Sequence, residues 1–423
     1  MQKQNSENFE TLLKDRHKLA DNCPLKKLRR KAWDRYLQLG LPTKKTEVYR
    51  YVKLRSLFAF EMTPSAQSAL TIDGIRPYIL PECEGSVLVF ANGRFDPALS
   101  QTASLPGSIS VLSLEGALRS YSTFLSNHWM KTVRGETDPF SAVNAALHQG
   151  AAFIYIPPKA VVNRPIQILN VVDNENETPL SMPRLQAFIG AQAEANFAVT
   201  HAILHQNPYA INHVNDFHIE EGAKVSMSQM TFGENDLGWQ LEATRAALKR
   251  DSAFHATSTS QGSLTSRFDY RVDLLGENAE THLQGLSRLE GKREAHHNIH
   301  IVHHAPNCRS NQLFKNCLSG SSHSSFEGKI YVHKIAQKTE AYQLNANLLL
   351  DEGARAESKP NLEIFADDVR ASHGATFGQL DKEQIFYLRT RGMTEEAAKN
   401  ALVSGFCRAV IETLSIPSLK KTH

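Results

Sequence analysis

Apolar positions along this chain change period twice. Between Leu25 and Leu37 they fall at three- and four-residue steps (Leu25, Leu28, Ala32, Trp33, Tyr36, Leu37), the spacing of one helix face. Pro24 suits a first helical position and Gly40 a stop, which puts Lys26, Lys27, Arg29, Arg30 and Lys31 on the wet face. From Ser86 to Phe95 the run SVLVFANGRF reads as a strand ending in an Asn-Gly turn. A mixed, largely helical domain is expected over residues 1–125.

From about Phe153 to Val369 short β-rich runs such as AAFIYIPP, PIQILNVV, KIYVHKI and LEIFADDV alternate with polar or glycine-containing corners. This pattern predicts an all-β core over residues 126–378. The corners recur: AQAEANF, EEGAKVSM, RDSAFHAT and GENAETHL superpose on Ala193, Ala223, Ala253 and Ala279, spaced 30, 30 and 26 residues, and DEGARAES repeats the texture at Ala354. Such a period points to stacked coils or blades. A small corner residue followed by Val225, Met227 and Gln229 suits a coil that turns tightly and then sends alternate side chains inward. Residues 379–423 turn helical again. Asp381 caps a helix through Ile385 to Leu388, and Thr394 caps a second with Ala398, Ala401, Leu402, Phe406, Ala409, Val410 and Leu414 as its apolar stripe.

Composition is that of a globular protein: 423 residues, 41% hydrophobic and 22% charged. The net charge of +3 conceals a basic start, since residues 1–60 hold 15 Lys+Arg against 6 Asp+Glu. A solvated helical face explains this without nucleic acid. Five cysteines with no CxxC pair suggest reduced thiols in a cytoplasmic protein, with Cys308 and Cys317 on opposite strand faces and Cys407 in a core. No apolar run approaches the roughly 18 residues of a membrane span, so no membrane insertion is expected.

Signatures of catalysis are missing. Gly285 and Gly291-Lys292 have one residue too many for a phosphate loop, and Arg293 stands where the Ser or Thr would be. Neither GxGxxG, GxSxG nor HExxH occurs. Asp367 and Asp368 would face opposite sides of a strand, which favours a corner role over a proton-sharing pair. Thirteen of 18 histidines lie between His201 and His333, five of them from His296 to His304. In a strand His296, His300 and His304 would share one face and His297 and His303 the other. No cysteine or carboxylate spacing completes a recognisable zinc set there.

The segment LEIFADDVRASHGATFGQLDKEQIFYLRTRGM from Leu362, the element GLPTKKTEVYRY at Gly40–Tyr51, the residues His303, Pro306, Ser310, Gln312 and Lys315, and AQKTEAYQLNANLLL at Ala336–Leu350 together resemble the SufB/SufD family of the SUF iron-sulfur cluster assembly system, in its SufD form. The resemblance implies a mainly β protein: a right-handed parallel β-helix core flanked by helical N- and C-terminal domains. It further implies a non-catalytic subunit that pairs with a SufB-like protein through the β-helix and binds the SufC-like ATPase through its C-terminal helices. No intrinsic cofactor is then expected, only a transient iron-sulfur cluster at the SufB interface, with His373 as candidate metal ligand. Related chains often carry Cys two residues before this histidine; here Ala371 stands there, so sulfur ligands must come from the partner. Phe386, Tyr387, Leu388, Leu402 and Phe406 are the candidate SufC contact, and truncation after Asp381 is expected to abolish that contact without unfolding the β core. A homodimer in isolation is a further expectation. The alternatives are a SufB-type principal scaffold and a carbohydrate-active β-helix enzyme.

Overall fold

A computed structural model describes residues 2–19, 24–60, 62–64, 69–173, 179–232, 235–261 and 263–421. The chain is mainly β, a parallel solenoid of about 8 turns with helices at both ends. Each coil gives one strand to either of two sheets. The first stacks Arg184–Ile189, Tyr209–Ile219, Asn235–Leu248, Ser263–Leu274, Glu294–His303, His323–Val332 and Arg355–Ile364; the second stacks Ile166–Val172, Glu194–Ile203, Lys224–Phe232, Ala253–Ser260, Glu280–Leu289, Arg309–Leu318, Thr339–Leu349 and Val369–Gly378.

The corner residues predicted from sequence form a column, with one shift. Glu194, Lys224, Ala253, Glu280, Arg309 and Glu340 pair in register. The column just before them is therefore Ala193, Ala223, Ser252, Ala279, Cys308 and Thr339, every member at most 1% exposed. Ser252 replaces Ala253 because the coil there is one residue shorter; its hydroxyl donates to Lys249 O at 2.7 Å, as Thr339 Oγ1 donates to Ala336 O at 2.9 Å. Ala354 belongs to the other sheet, immediately before Arg355–Ile364. The residue preceding each column member has left-handed backbone: Gln192 (φ 59°), Gly222 (68°), Asp251 (57°), Asn278 (58°), Asn307 (59°) and Lys338 (58°). Glycine, Asn and Asp tolerate that region best. Each of these amides donates to a carbonyl of the next coil, for example Gln192 N to Glu221 O at 2.8 Å and Asn307 N to Gln337 O at 2.9 Å.

The lumen has two wings. Near the column it is apolar, filled by Phe197, Val199, Phe217, Ile219, Met227, Phe254 and Ile301. The far wing is polar and equally buried. Asn170, His201 and Thr231 stack in register there, as do Ser260, Ser287, Asn316 and Asn347, all buried.

The helices Gln2–Leu19, Lys26–Leu39, Leu114–Gly135 and Pro139–Leu147 cover the outer face of the first sheet, sharing one cluster with Phe153, Phe188, Trp239 and Leu241. The Lys26–Leu39 helix starts two residues after Pro24, its residue Leu37 is 56% exposed, and Arg29 leaves the wet face to donate to His148 O at 2.8 Å. The Asn92-Gly93 turn forms as expected, and the strand it ends, Val87–Ala91, pairs with Ile166–Val172. Helix Leu114–Gly135 runs across residue 125, so the N-terminal segment is both stitched into the second sheet and laid over the first.

A buried ionic network holds that layer down. Arg245 Nε and Nη2 donate to both Glu136 carboxylate oxygens at 2.9 Å, Nη2 also to Ser141 Oγ at 2.9 Å, and Nη1 lies 2.7 Å from Asp269 Oδ1. Arg267 bridges Asp269 (2.9 Å) and Asp138 (3.1 Å) and lies 4.1 Å over the Tyr49 ring, whose hydroxyl donates to Asp138. Burial alone would lower the Arg245 pKa, but the Glu136 and Asp269 carboxylates outweigh it and raise it well above the usual value.

At the far end Asp381 caps Lys382–Thr390 and Thr394 caps Glu395–Ile411. The second helix buries Ala398 and Val410 of the expected stripe together with Val403 and Cys407, while Ala401 and Ala409 face solvent and Leu402 and Phe406 are partly covered; Leu414, just past the helix, is buried. This face packs on Leu286, Cys317 and Leu348, and Leu414, Ile416 and Leu419 pack on Ile75, Leu80 and Cys83. Among the described residues no helix is long and apolar enough to cross a membrane.

Replacing Arg245 with Met should leave the buried Glu136 without its cation and Asp269 with Arg267 alone, and cost about 3–5 kcal/mol. The measurement is the urea midpoint at unchanged m-value; an unchanged midpoint would show the network to be dispensable.

Candidate functional site

His373 lies on Val369–Gly378, the last strand of the second sheet, and one register row leads to it. The row runs Phe197, Met227, Ala256, Leu283, Gln312, Gln343, His373. Its earlier members face the lumen, so His373 stands on the lumen side of the rim, exposed. The row changes from apolar to polar as it nears the open end. Gln312 and Gln343 are 1% and 3% exposed, yet both amide atoms of Gln312 and Oε1 of Gln343 have no hydrogen-bond partner. Ala371 shares the face of His373 and packs near Ile330, Val332 and Ala341. A Cβ on Gly374 would come within 3.2 Å of Leu344 Cδ1, so glycine there relieves a contact within the chain. Asp367 and Asp368 sit in the corner before this strand; Asp368 N donates to Gln337 Oε1 at 2.8 Å.

The final strands Arg355–Ile364 and Val369–Gly378 each pair on one side only. Unpaired parallel edges are templates for another sheet unless protected.

The C-terminal residues divide. Phe386 and Tyr387 are 68% and 56% exposed. Leu388 and Leu402 are partly covered and line a groove with Asp381, Glu383, Gln384 and Tyr387. Phe406 turns to the solenoid, where Lys315 Nζ lies 4.7 Å over its ring and donates to its carbonyl at 2.8 Å. Truncation after Asp381 would therefore strip the apolar cover from Leu286, Cys317 and Leu348 as well as remove a contact surface.

The histidines from 296 to 304 do not converge. His297 and His303 face the lumen: His297 stacks on Phe268 at 5.3 Å and lies 2.9 Å from Ser287 Oγ, while His303 Nε2 lies 2.9 Å from Ser310 Oγ. Burial holds both imidazole pKa values down to about 3. His300 is partly covered on the outer face, and His304, past the strand end, pairs with Asp273 at 3.0 Å. His296 alone joins a ligand-like group, with Glu294 and His323, but Lys53 binds Glu294 and Glu357 binds His323. Two further groups come from residues distant in sequence: His255, Glu280 and His282 on the outer surface, and His201, His213 and Glu242 in the lumen. Sequence spacing could not find them, since register across coils brings them together.

Burial acts unevenly on the described thiols: it makes Cys83 and Cys308 poor nucleophiles, whereas the hydrogen bond with Cys317 holds the Cys407 thiol below its usual value. Cys83, Cys308, Cys317 and Cys407 are buried and free, and burial pushes Cys83 up to about 12 and Cys308 up to about 11. Cys308 faces the lumen and Cys317 the outside, as expected, but Cys317 meets Cys407 in one apolar cluster. Cys23 lies outside the described residues.

The family model described as the SufBD core domain of the SUF system for FeS cluster assembly matches residues 171–406, and that of the SufBD N-terminal region matches residues 3–168. This chain belongs to the SufBD family. A SufBD family iron-sulfur cluster assembly protein of Synechocystis is 30% identical over 90% of this chain and 86% of its own length. The iron-sulfur cluster assembly protein SufD of Escherichia coli is 27% identical over 91% of this chain and 88% of its own. Protein ABCI7 of Arabidopsis, a chloroplast protein, is 25% identical over 93% and 83%. Its family places the chain in iron-sulfur cluster assembly.

Since His297 and His303 are neutral when folded but titrate near 6.5 when unfolded, the unfolded SufBD chain binds more protons between about pH 6.5 and 3. Stability should be fully present above that window and fall within it by up to ~1.4 kcal/mol per pH unit for each residue. His303→Gln should flatten the loss in denaturant titrations between pH 6 and 4; an unchanged slope would remove His303 from the account.

Proposed function

We propose that this protein is a SufD-type, non-catalytic subunit of a cytoplasmic SUF assembly complex, pairing with a SufB-like subunit edge to edge and binding a SufC-like ATPase through its C-terminal helices. The observation that carries this reading is the solenoid's open end, where both sheets finish on unpaired strands and His373 stands at the lumen rim. A second parallel β-helix continues such edges strand for strand. The cluster is cargo in this scheme. His373 offers an imidazole, a good iron ligand, and thiolates come from the partner, because Ala371 occupies the neighbouring position on the same face. A SufB-type scaffold would need reactive thiols of its own; the described ones are buried away from the rim. A homodimer through the same edge is the expected state when the partner is absent.

On the ATPase side, Phe386 and Tyr387 with the Leu388–Leu402 groove are the apolar contact. Phe406 supports the helix from beneath.

Reconstitution with SufB-like and SufC-like partners tests the rim. His373→Ala should lower cluster yield about tenfold while the three-component assembly still elutes intact; wild-type yield would refute the ligand role. For the tail, Phe386→Ala with Tyr387→Ala should weaken SufC binding about 30-fold or more with the thermal midpoint unchanged, and undiminished binding would place the contact elsewhere. These substitutions avoid the core exposure that truncation after Asp381 would cause.

A further inference from the structure

We propose that the solenoid lumen binds one divalent transition-metal ion between His201, His213 and Glu242, with Zn²⁺ the ion its donors suit best. The site is separate from the rim and does not depend on the assembly role proposed above.

His201 comes from the second-sheet strand Glu194–Ile203 and His213 from the first-sheet strand Tyr209–Ile219 of the same coil. Glu242 sits one coil on, in register with His213. Side chains from opposite sheets thus meet across the polar wing. His201 Nε2 is 2.9 Å from Glu242 Oε1, and His213 Nδ1 is 3.3 Å from Glu242 Oε2. One ligand atom from each residue lies within 4.8 Å of the others. A tetrahedral ion with bonds of about 2.0–2.2 Å needs ligand atoms roughly 3.3–3.6 Å apart, so small side-chain rotations complete the set.

The second observation is unmet polarity. His201 and His213 are fully buried and Glu242 is 3% exposed. Both ring nitrogens of His201, His213 Nε2 and Glu242 Oε1 nevertheless have no hydrogen-bond partner. His201 Nε2 and Glu242 Oε1 are close but misaligned for a hydrogen bond, as two donors converging on a third atom would be. Leaving such groups unsatisfied in a buried interior is costly. Gln229 Nε2 donates to Glu242 Oε2 at 2.7 Å and orients the carboxylate, while Gln229 Oε1 is itself unpartnered. Among the described residues only the two imidazoles ion-pair with Glu242; no lysine or arginine does. Two imidazoles and a carboxylate are a zinc donor set. The other two clusters lack this character: Lys53 occupies Glu294, and Glu280 is on the surface and shared with Arg309.

The full-length chain, refolded from denaturant with one equivalent of Zn²⁺ and then passed through chelator, should retain one zinc per chain. His201→Ala with His213→Ala should retain none, and His255→Ala with His282→Ala should retain it fully. No retained zinc, or retention that survives the His201→Ala and His213→Ala pair, overturns the proposal. If that pair does not refold, X-ray absorption of the wild-type zinc form decides: a four-coordinate nitrogen and oxygen shell with two imidazoles supports the lumen site, whereas sulfur or six waters overturns it. Metal loading needs no partner subunit, so its failure leaves the rim reading untouched.

Discussion

In-register parallel stacking is the constraint on which the rest of this molecule depends. Each residue lies on its counterpart one coil earlier, so side chains must be compatible down columns rather than along the sequence. Small residues fill one column from Ala193 to Thr339. Phe268, His297 and Phe326 stack in another, each paired with the next. The left-handed residue at each corner hands its amide to the following coil, which lets coils differ in length without losing register.

A stack of this kind has exposed flanks and two ends, and the rest of the chain answers that problem unevenly. The N-terminal helices close one flank through an apolar layer and the Arg245 and Arg267 network, where buried charges hold their geometry because every one is paired. Helix Glu395–Ile411 closes part of the other flank through Val403, Cys407 and Val410. The last coil is left open. Buried polar side chains without a hydrogen-bond partner gather toward that end, at Gln312 and Gln343, and in the polar wing, at His201, His213 and Glu242.

Much of this was legible in the sequence. Alternation within short runs, recurrence near 30 residues and small corner residues arise from local geometry, and each survives as a strand, a coil or a column. Caps at Asp381 and Thr394 and the Asn92-Gly93 turn are likewise local, since one side chain or one backbone conformation decides them. The buried face of helix Glu395–Ile411 is legible only in part: Ala398 and Val410 fit the stripe and are buried, but Ala401 and Leu402 fit it as well as Val403 does, and only the position of Leu286 and Leu348 selects between them.

The sequence by itself determined the period, the fold class and the family, because these reside in spacing and in contiguous motifs. Only the tertiary structure decided which histidines are structural and which converge. His296 to His304 are neighbours in sequence, and the pleat separates them. His201, His213 and Glu242 lie up to 41 positions apart, and stacking across the lumen unites them. Register is a property of paired strands, set by the closure of each coil, and no single segment carries it.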